Sequence, residues 1–194
     1  MQNLIFATNN ANKVNEVRKV LGGRFQISTL KEAGINIDIP EPHSTLEENA
    51  FEKAQTIYNL TGTNCFSEDT GLEVQALNGE PGVKSARYAG EPASDKANIE
   101  KLLQNLAGKE KRDAQFRTVI CLILNREKYF FEGICKGHIA SEIAGSDGFG
   151  YDPVFIPDGD VRRFAEMTME EKNTFSHRKK AMEKLIRFLE QQAG

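Results

Sequence analysis

The stretch LIFATNNANK, residues 4–13, determines how this chain begins to fold. Its first four residues are apolar and predict a short buried strand, and the polar residues after them predict a turn. A helix follows, with Lys13 in its first turn and with Asn10 or Asn12 as its cap. The free N–H groups at a helix start and a nearby lysine suit a phosphate. Taken alone, however, an ordinary capped helix after an edge strand is the simpler interpretation.

The composition predicts one folded domain over residues 1–194. Hydrophobic residues make up 39% of the chain and charged residues 27%, which is enough for a packed core. A net charge of −3 without a long basic face argues against a nucleic acid polymer as partner. No apolar run is long enough for a bilayer and no leader is visible, so we expect a cytoplasmic protein without a membrane partner. Cys65, Cys121 and Cys135 form no CxxC and are expected to be buried free thiols.

Strand and helix patterns alternate along the rest of the chain. Apolar and β-branched runs predict strands at 25–29, 64–67, 72–74, 116–124, 128–139 and 154–156. The runs 116–124 and 128–139 read as one hairpin, whereas the polar residues 68–71 are expected to break the strand between 64–67 and 72–74. This mixture of strands, helices and an antiparallel hairpin predicts an α/β fold with a mixed sheet.

Helix starts are predicted from capping patterns. Ser44 and Thr168 are each followed three residues later by a glutamate, the spacing of a capping box. Ser94 or Asp95 is placed to cap the helix between them.

Two acidic residues are candidates for catalysis or metal binding. Asp69 lies at the expected strand break, although an aspartate satisfied by backbone N–H groups in a bulge explains it equally well. Glu41 lies between two prolines, which stiffen the backbone and aim its carboxylate. Because Mg²⁺ prefers a few carboxylates with phosphate oxygens and water, the two form a magnesium site only if the fold brings them together.

A glycine-rich loop and the start of the last helix are candidates for binding a planar base. Phe149 and Tyr151 flank a glycine, which suits stacking on a base, although a core position is the simpler interpretation for Tyr151. Lys172, His177 and Arg178 gather hydrogen-bond donors near the last helix. Without the other motifs, they would be interpreted as an exposed basic helix end.

Several short segments, taken in order, resemble the inosine/xanthosine triphosphate pyrophosphatases, also called noncanonical purine NTP pyrophosphatases. Each segment is a weak signal, but the ordered set covers nearly the whole chain and is highly specific. The segments are residues 7–13, 48–50, 68–72, 81–82, 85–90, 149–153, 171–173 and 176–178.

The resemblance implies a fold, an activity and an assembly. It implies an elongated α/β fold with a mixed sheet, flanking helices and two lobes around a central cleft. It also implies a homodimer that requires Mg²⁺ and cleaves ITP, dITP and XTP to the monophosphate and pyrophosphate. Such an enzyme removes deaminated purines from the nucleotide pool.

The resemblance also assigns roles by position. It implies that the triphosphate is bound by Thr8, Asn9, Asn10, Ala11, Asn12, Lys13 and Lys53, and that the substrate site includes Thr70. It implies that the base is recognised by Phe149, Gly150, Tyr151, Asp152, Lys172, His177 and Arg178. Glu41 and Asp69 would hold Mg²⁺, and Asp69 would also activate the attacking water.

Two other functions compete with this one. A related α/β pyrophosphatase for pyrimidine or methylated nucleotides would lack the purine-reading segments after Phe149 and before Arg178. A nucleotide sensor without turnover would gain little from buried acids such as Glu41 and Asp69. A substrate panel scored by pyrophosphate release separates these alternatives.

Overall fold

The computed structural model describes residues 3–21 and 25–192. In this part of the chain, the helices are α1 Ala11–Leu21, α2 Leu46–Thr61, α3 Asp95–Asn105, α4 Met169–Phe175 and α5 His177–Gln192. The strands are β1 Asn3–Phe6, β2 Gln26–Thr29, β3 Cys65–Val74, β4 Pro81–Gly82, β5 Asp113–Leu124, β6 Glu127–Ile139 and β7 Phe155–Pro157.

The described strands form one mixed sheet of seven strands in the order β2-β1-β3-β5-β6-β7, with β4 paired to β3. Strand β1 is parallel to both β2 and β3, whereas β4 runs antiparallel to β3 and β7 runs antiparallel to β6. The predicted mixed sheet with flanking helices is therefore confirmed. In the same residues, no helix combines the length and the apolar character that a bilayer crossing requires.

The chain divides into two compact units. Unit 1 comprises Met1–Asp69, Thr118–Gly133 and Arg178–Gly194, and unit 2 comprises Thr70–Arg117 and Ile134–His177. Strands β3, β5 and β6 each contribute residues to both units.

Unit 1 has its core where strands β1, β3 and β5 meet α1 and α5. The side chains that pack there are Leu4, Phe6, Val14, Val17, Phe66, Ile120, Leu122, Leu124, Ala181, Met182, Leu185, Ile186 and Leu189. The rings of Phe6 and Phe66 stack with their centroids 4.5 Å apart. Burial of these apolar surfaces is the main source of stability for the unit.

The strand β3 is continuous, so the break predicted at residues 68–71 is wrong. Alternate side chains point to opposite faces of an extended strand. Cys65 and Ser67 donate to backbone carbonyls of α2, whereas Phe66 packs in the core with α5. Glu68 and Asp69, whose charges suggested that the strand ends, are buried within it because each carboxylate has a cationic partner.

Unit 2 has a separate core built around α3, the second parts of β3 and β6, and the first part of β5. It contains Leu72, Val74, Tyr88, Ile99, Leu102, Leu106, Ala114, Phe116, Cys135, Ile139, Tyr151, Val154, Phe155, Phe164 and Met167. Gly71 is required here by close packing, since a Cβ at this position would lie 2.6 Å from the carbonyl oxygen of Gly82. The three cysteines, one in this core and two outside it, are buried free thiols as predicted.

The predicted helix caps are present, except that the cap of α2 lies one residue later than predicted. The capping residue of α2 is Thr45, whose side chain accepts from Glu48 N–H, so the capping box predicted at Ser44 and Glu47 is wrong and the cap lies one residue later. Ser94 caps α3 and the capping box starting at Thr168 is present in α4, as predicted. The capping residue of α1 is Asn10.

The predicted hairpin is confirmed, with Asn125 and Arg126 forming its loop between β5 and β6. Both residues have positive φ angles, 53° and 74°, as a two-residue type I′ turn requires. Asparagine tolerates this conformation, but arginine adopts it at a cost, and glycine is the preferred residue in the second position.

Arg126→Gly is expected to stabilise the chain by about 1 kcal/mol, because it removes the left-handed strain at an exposed residue. The melting temperature should rise by roughly 2–4 °C for a chain of this size, measured by thermal unfolding followed with circular dichroism. Arg126→Ala is the control, since it keeps a Cβ and should gain nothing. Equal stabilisation by both substitutions would contradict the turn argument.

Candidate active site

The N-terminal turn is ordered by its own side chains. The Asn10 Oδ1 atom accepts from the backbone N–H groups of Asn12 and Lys13 at 3.0 and 3.2 Å. Thr8 Oγ1 accepts from Asn10 N–H at 3.2 Å, and the Asn9 amide donates to Ile37 O at 3.0 Å. Two of the helix N–H groups considered for phosphate binding are thus already paired with Asn10. What this segment offers an anion is the charge of Lys13 and the helix dipole.

Lys13 belongs to a buried ionic network in unit 1, which we call the Arg178 network: Lys13, Glu16, Glu68 and Arg178. Lys13 Nζ lies 3.1 Å from Glu68 Oε1, and Arg178 Nε lies 2.8 Å from Glu68 Oε2. Arg178 also pairs with Glu16 of α1. The side chains of Glu16, Glu68 and Arg178 are at most 2% exposed.

The charges of the Arg178 network stabilise one another. Burial by itself would raise the pKa of Glu68, but Arg178 and Lys13 outweigh it and lower that pKa to about 2. Burial likewise opposes the charge on Arg178, yet Glu68 and Glu16 raise its pKa above the ordinary value. Glu68 and Arg178 are therefore both charged at neutral pH. The predicted role of Arg178 in reading a base stays a prediction, since in unit 1 its guanidinium is held by two glutamates.

A second cluster in unit 1, the Lys53 cluster, joins Glu41, Lys53 and Asp69. Lys53 lies on α2, and its Nζ atom is 3.2 Å from Asp69 Oδ1 and also contacts the Glu41 carboxylate. Glu41 and Asp69, whose proximity the sequence could not establish, therefore both contact the same lysine. Strand alternation accounts for this, because Asp69 follows Cys65 and Ser67 on the face of β3 that meets α2.

The loop that carries Glu41 is fixed by a side chain of α2. Asn49, which is fully buried, accepts from His43 N–H at 2.9 Å and donates to His43 O at 3.2 Å. The prolines on either side of Glu41 restrict the backbone further. Glu41 is therefore held at a defined place although its segment has no regular secondary structure.

Asp69 has the properties of a functional carboxylate. Burial raises its pKa and Glu41 adds to the rise, whereas Lys53 opposes it. Burial would lower the pKa of Lys53, but Asp69 and Glu41 reverse the direction and raise it. The Asp69 Oδ2 atom is buried and, among the residues that the structure describes, has no hydrogen-bond partner. A buried carboxylate oxygen without a partner is costly and is common where a ligand binds.

The Lys53 cluster suits Mg²⁺, which needs few protein ligands, better than it suits a metal ion that is bound by protein side chains alone. Within residues 3–21 and 25–192, no three acidic, histidine or cysteine side chains converge as a ready-made metal site. Mg²⁺ is commonly bound by only one or two carboxylates, with phosphate oxygens and water completing the octahedron. Asp69 Oδ2 and the Glu41 carboxylate are such a pair.

Unit 2 contains another group of predicted site residues, the Phe149 loop cluster: Phe149, Gly150, Asp152 and Lys172. The Asp152 carboxylate accepts from Phe149 N–H at 3.0 Å and from Lys172 Nζ at 2.8 Å. Lys172 Nζ lies 5.0 Å from the centroid of the Phe149 ring, within the range of a cation–π contact. The resemblance assigned these four residues to base recognition together with Tyr151, His177 and Arg178, and the structure brings these four together.

The remaining predicted residues of unit 2 occupy different environments. Tyr151 lies in the core and donates from its hydroxyl to Ser85 O at 2.8 Å, as the simpler interpretation expected. His177 is buried at the start of α5, with its ring stacked on Phe116 at 4.8 Å. Thr70 is a half-buried residue of β3, directly after Asp69.

Sequence reasoning missed three residues that support these clusters: Glu16, Glu68 and Asn49. Glu68 and Asn49 were seen only as parts of motifs, and Glu16 was assigned no role. For Glu16 the sequence carried no local signal, because helical spacing places it about 100° around the helix from Val17.

Glu68→Gln is expected to lower the free energy of unfolding by about 3 kcal/mol at pH 7, because buried Arg178 loses one of its two counter-charges. The difference from the unsubstituted chain should shrink as the pH falls from 4.5 to about 2. A carboxyl group whose pKa is lowered by folding stabilises the fold above its unfolded pKa and loses that contribution on protonation. Urea unfolding at several pH values measures both effects.

The control for this prediction is Glu183→Gln, which removes an exposed partner of Lys179 at 3.8 Å on α5. Exposed pairs contribute little, so its unfolding free energy should stay close to that of the unsubstituted chain. Equal stability of the Glu68 and Glu183 variants would contradict the structural importance of the Arg178 network.

Comparison with known proteins gives consistent matches over nearly the whole chain. The model of the Ham1 family matches residues 4–188. A dITP/XTP pyrophosphatase of Porphyromonas gingivalis is 54% identical over 190 residues, covering 97% of this chain and 98% of that protein. The dITP/XTP pyrophosphatase of Bacillus subtilis is 43% identical over 194 residues and covers 98% of both chains.

A solved structure agrees with these matches. The Staphylococcus aureus Ham1 protein has a TM-score of 0.90 and 39% sequence identity to this chain, covering 98% of this chain and 100% of that one. The fold, the ordered motifs and the sequence matches lead to one conclusion: this chain belongs to the Ham1 family.

Proposed function

We propose that this chain hydrolyses the noncanonical purine nucleoside triphosphates ITP, dITP and XTP to the monophosphate and pyrophosphate, with Mg²⁺ as cofactor. Relatives at 43–54% identity carry the name dITP/XTP pyrophosphatase, and this chain is a nucleoside triphosphate pyrophosphatase of that class. The proposal includes a homodimer in the cytoplasm and a role in clearing deaminated purines from the nucleotide pool.

The observation that carries the proposal is the buried Asp69 carboxylate, with one oxygen on Lys53 and the other without a partner among the described residues. A nucleoside triphosphate brings several negative charges, and a hydrolase must stabilise those that develop on the leaving pyrophosphate. Lys13 and Lys53 supply fixed positive charge in unit 1. When bound, Mg²⁺ would neutralise phosphate charge at Glu41 and Asp69.

Asp69 is also the proposed general base. The Asp69 carboxylate, held by Lys53 beside the proposed ion, can orient the attacking water and accept its proton. Lys53 stays protonated because its own pKa is raised, and it keeps the Asp69 side chain oriented. Asn49 and Lys53 together fix the position of Glu41.

The Phe149 loop cluster is the proposed base site. The half-buried ring of Phe149 would stack on the base, and Lys172, with its Nζ atom 5.0 Å from the ring centroid, would supply N–H donors beside it. Hypoxanthine and xanthine present an acceptor oxygen at C6, whereas adenine presents an amino group there and would place a donor against a donor. Guanine keeps the oxygen but adds a 2-amino group that requires an acceptor. One buried polar group without a partner costs about 1–3 kcal/mol, or roughly one to two powers of ten in rate.

We expect the purified chain to release pyrophosphate and monophosphate from ITP, dITP and XTP, and to act on GTP and ATP at least about tenfold more slowly. Separating the products by ion-exchange chromatography distinguishes IMP plus pyrophosphate from IDP plus phosphate. Omitting Mg²⁺ or adding a chelator should abolish turnover. Comparable hydrolysis of ATP would contradict the selectivity argument, and preferred cleavage of pyrimidine triphosphates would favour the related pyrophosphatase instead.

Asp69→Asn is expected to lower kcat by several powers of ten while ITP with Mg²⁺ still binds, because the amide cannot accept the proton from water. Turnover and calorimetric binding measured on the same sample check both parts. Asp113→Asn, at an exposed aspartate of β5, is the matched control and should keep full activity. An unchanged kcat in the Asp69 variant would remove this residue from its role.

A further inference from the structure

We propose that Asp95 is a positioning residue for the loop of residues 148–152. The inference rests on the proposed function, since that loop carries the Phe149 ring that would stack on the base. Asp95 lies at the start of α3, 55 residues before Gly150. Its Oδ2 atom accepts a hydrogen bond of 2.7 Å from the backbone N–H of Gly150. A charged acceptor on a helix thereby holds a residue of a glycine-rich loop.

The loop needs an external contact because packing fixes only one side of it. Gly148 has a φ of +81°, and a Cβ there would lie 2.1 Å from Asp152 Oδ2, so its backbone is packed closely against that carboxylate. Gly150 has a φ of +61°, and a Cβ there would meet no atom within 4 Å. Because the Cβ side of Gly150 is open and glycine has wide conformational freedom, its hydrogen bond to Asp95 restrains its backbone.

Two neighbouring N–H groups are thus held by two different aspartates. Phe149 N–H donates to Asp152, which belongs to the loop itself and is paired with Lys172. Gly150 N–H donates to Asp95, which belongs to a helix far away in sequence. The first N–H lies in the peptide plane before Phe149 and the second in the plane after it. Together the two bonds restrain the backbone on both sides of Phe149, and with it the direction of its Cα–Cβ bond.

The helix that carries Asp95 is itself well anchored. Ser94 caps α3 by accepting from Ala97 N–H. The Asn98 side chain, on the next turn, donates to Ala86 O at 3.0 Å and accepts from Ala89 N–H at 2.7 Å. Asp95 is therefore a fixed point relative to which the loop can be held.

A simpler role for Asp95 is to stabilise α3, because an acid in the first turn interacts favourably with the helix dipole. The two roles predict different results. If Asp95 acts only on helix stability, then removing the Ser94 cap at the same helix end should have the same effect. If Asp95 holds the loop, then only substitutions of Asp95 should change nucleotide binding.

The test compares Asp95→Ala, Asp95→Asn and Ser94→Ala in dITP hydrolysis with Mg²⁺. Asp95→Ala is expected to raise KM by about tenfold with little change in kcat, since base placement contributes to binding in both ground state and transition state. Asp95→Asn keeps an acceptor oxygen and should recover most of the loss. Ser94→Ala should leave KM unchanged. An unchanged KM in Asp95→Ala, or an equal rise in Ser94→Ala, would overturn the proposal.

A second measurement tests the loop without turnover. The chain has no tryptophan, so Phe149→Trp introduces a single fluorescent reporter at the tip of the loop. Adding Asp95→Ala to this variant should lower the fluorescence anisotropy and shift the emission to the red, because the loop is released into solvent. Identical spectra would overturn the proposal. Failure of the proposed function would instead be seen as absence of dITP hydrolysis in the unsubstituted chain, with the spectral difference still present.

Discussion

The alternation of side chains along β3 is the constraint on which the chemistry of unit 1 depends. Glu68 and Asp69 are neighbours in sequence, yet an extended strand sends them to opposite faces of the sheet. Glu68 meets Arg178 and Lys13, and Asp69 meets Lys53. Any break or bulge at this point would bring both acids to one face and would leave buried cations without partners. The continuity of the strand and the pairing of the charges therefore require each other.

Buried ionic groups are costly, and the arrangement here shows how the cost is offset. An isolated buried charge is strongly unfavourable, but a buried charge with close counter-charges and hydrogen bonds is tolerated. Arg178 has two glutamates, and Lys53 has Glu41 and Asp69. The same acids that neutralise Lys53 are those proposed to bind Mg²⁺. The cluster can thus remain folded before substrate binds and still present a carboxylate oxygen for it.

Local features of the fold were predictable from sequence because they depend on neighbouring residues. The hairpin loop at Asn125, the caps at Asn10 and Thr168, and the burial of the three cysteines all follow from short patterns. The cap of α2 was predicted one residue too early, because two hydroxyl residues in a row, each followed three later by a glutamate, leave the register undecided.

Features that depend on distant residues were not predictable in the same way. Arg178 lies 110 residues from Glu68 and 162 residues from Glu16 in the sequence, and no local pattern predicts contacts over such separations. The carboxylates at 68 and 69 suggested a break in the strand, because the sequence does not show the cations that neutralise them. Resemblance to a family supplied a set of site residues, but only the structure shows that Glu41 and Asp69 share a lysine and that Asp152 holds both Phe149 and Lys172.

The central claim is that Asp69 and Glu41 hold a divalent cation on a triphosphate. A crystal structure with Mn²⁺ and a dITP analogue whose α–β bridging oxygen is replaced by nitrogen tests it most directly, because anomalous scattering locates the ion. We expect a peak about 2.2 Å from Asp69 Oδ2, with an oxygen of Glu41 and phosphate oxygens completing the coordination. An ion bound to the triphosphate without either carboxylate would contradict the account.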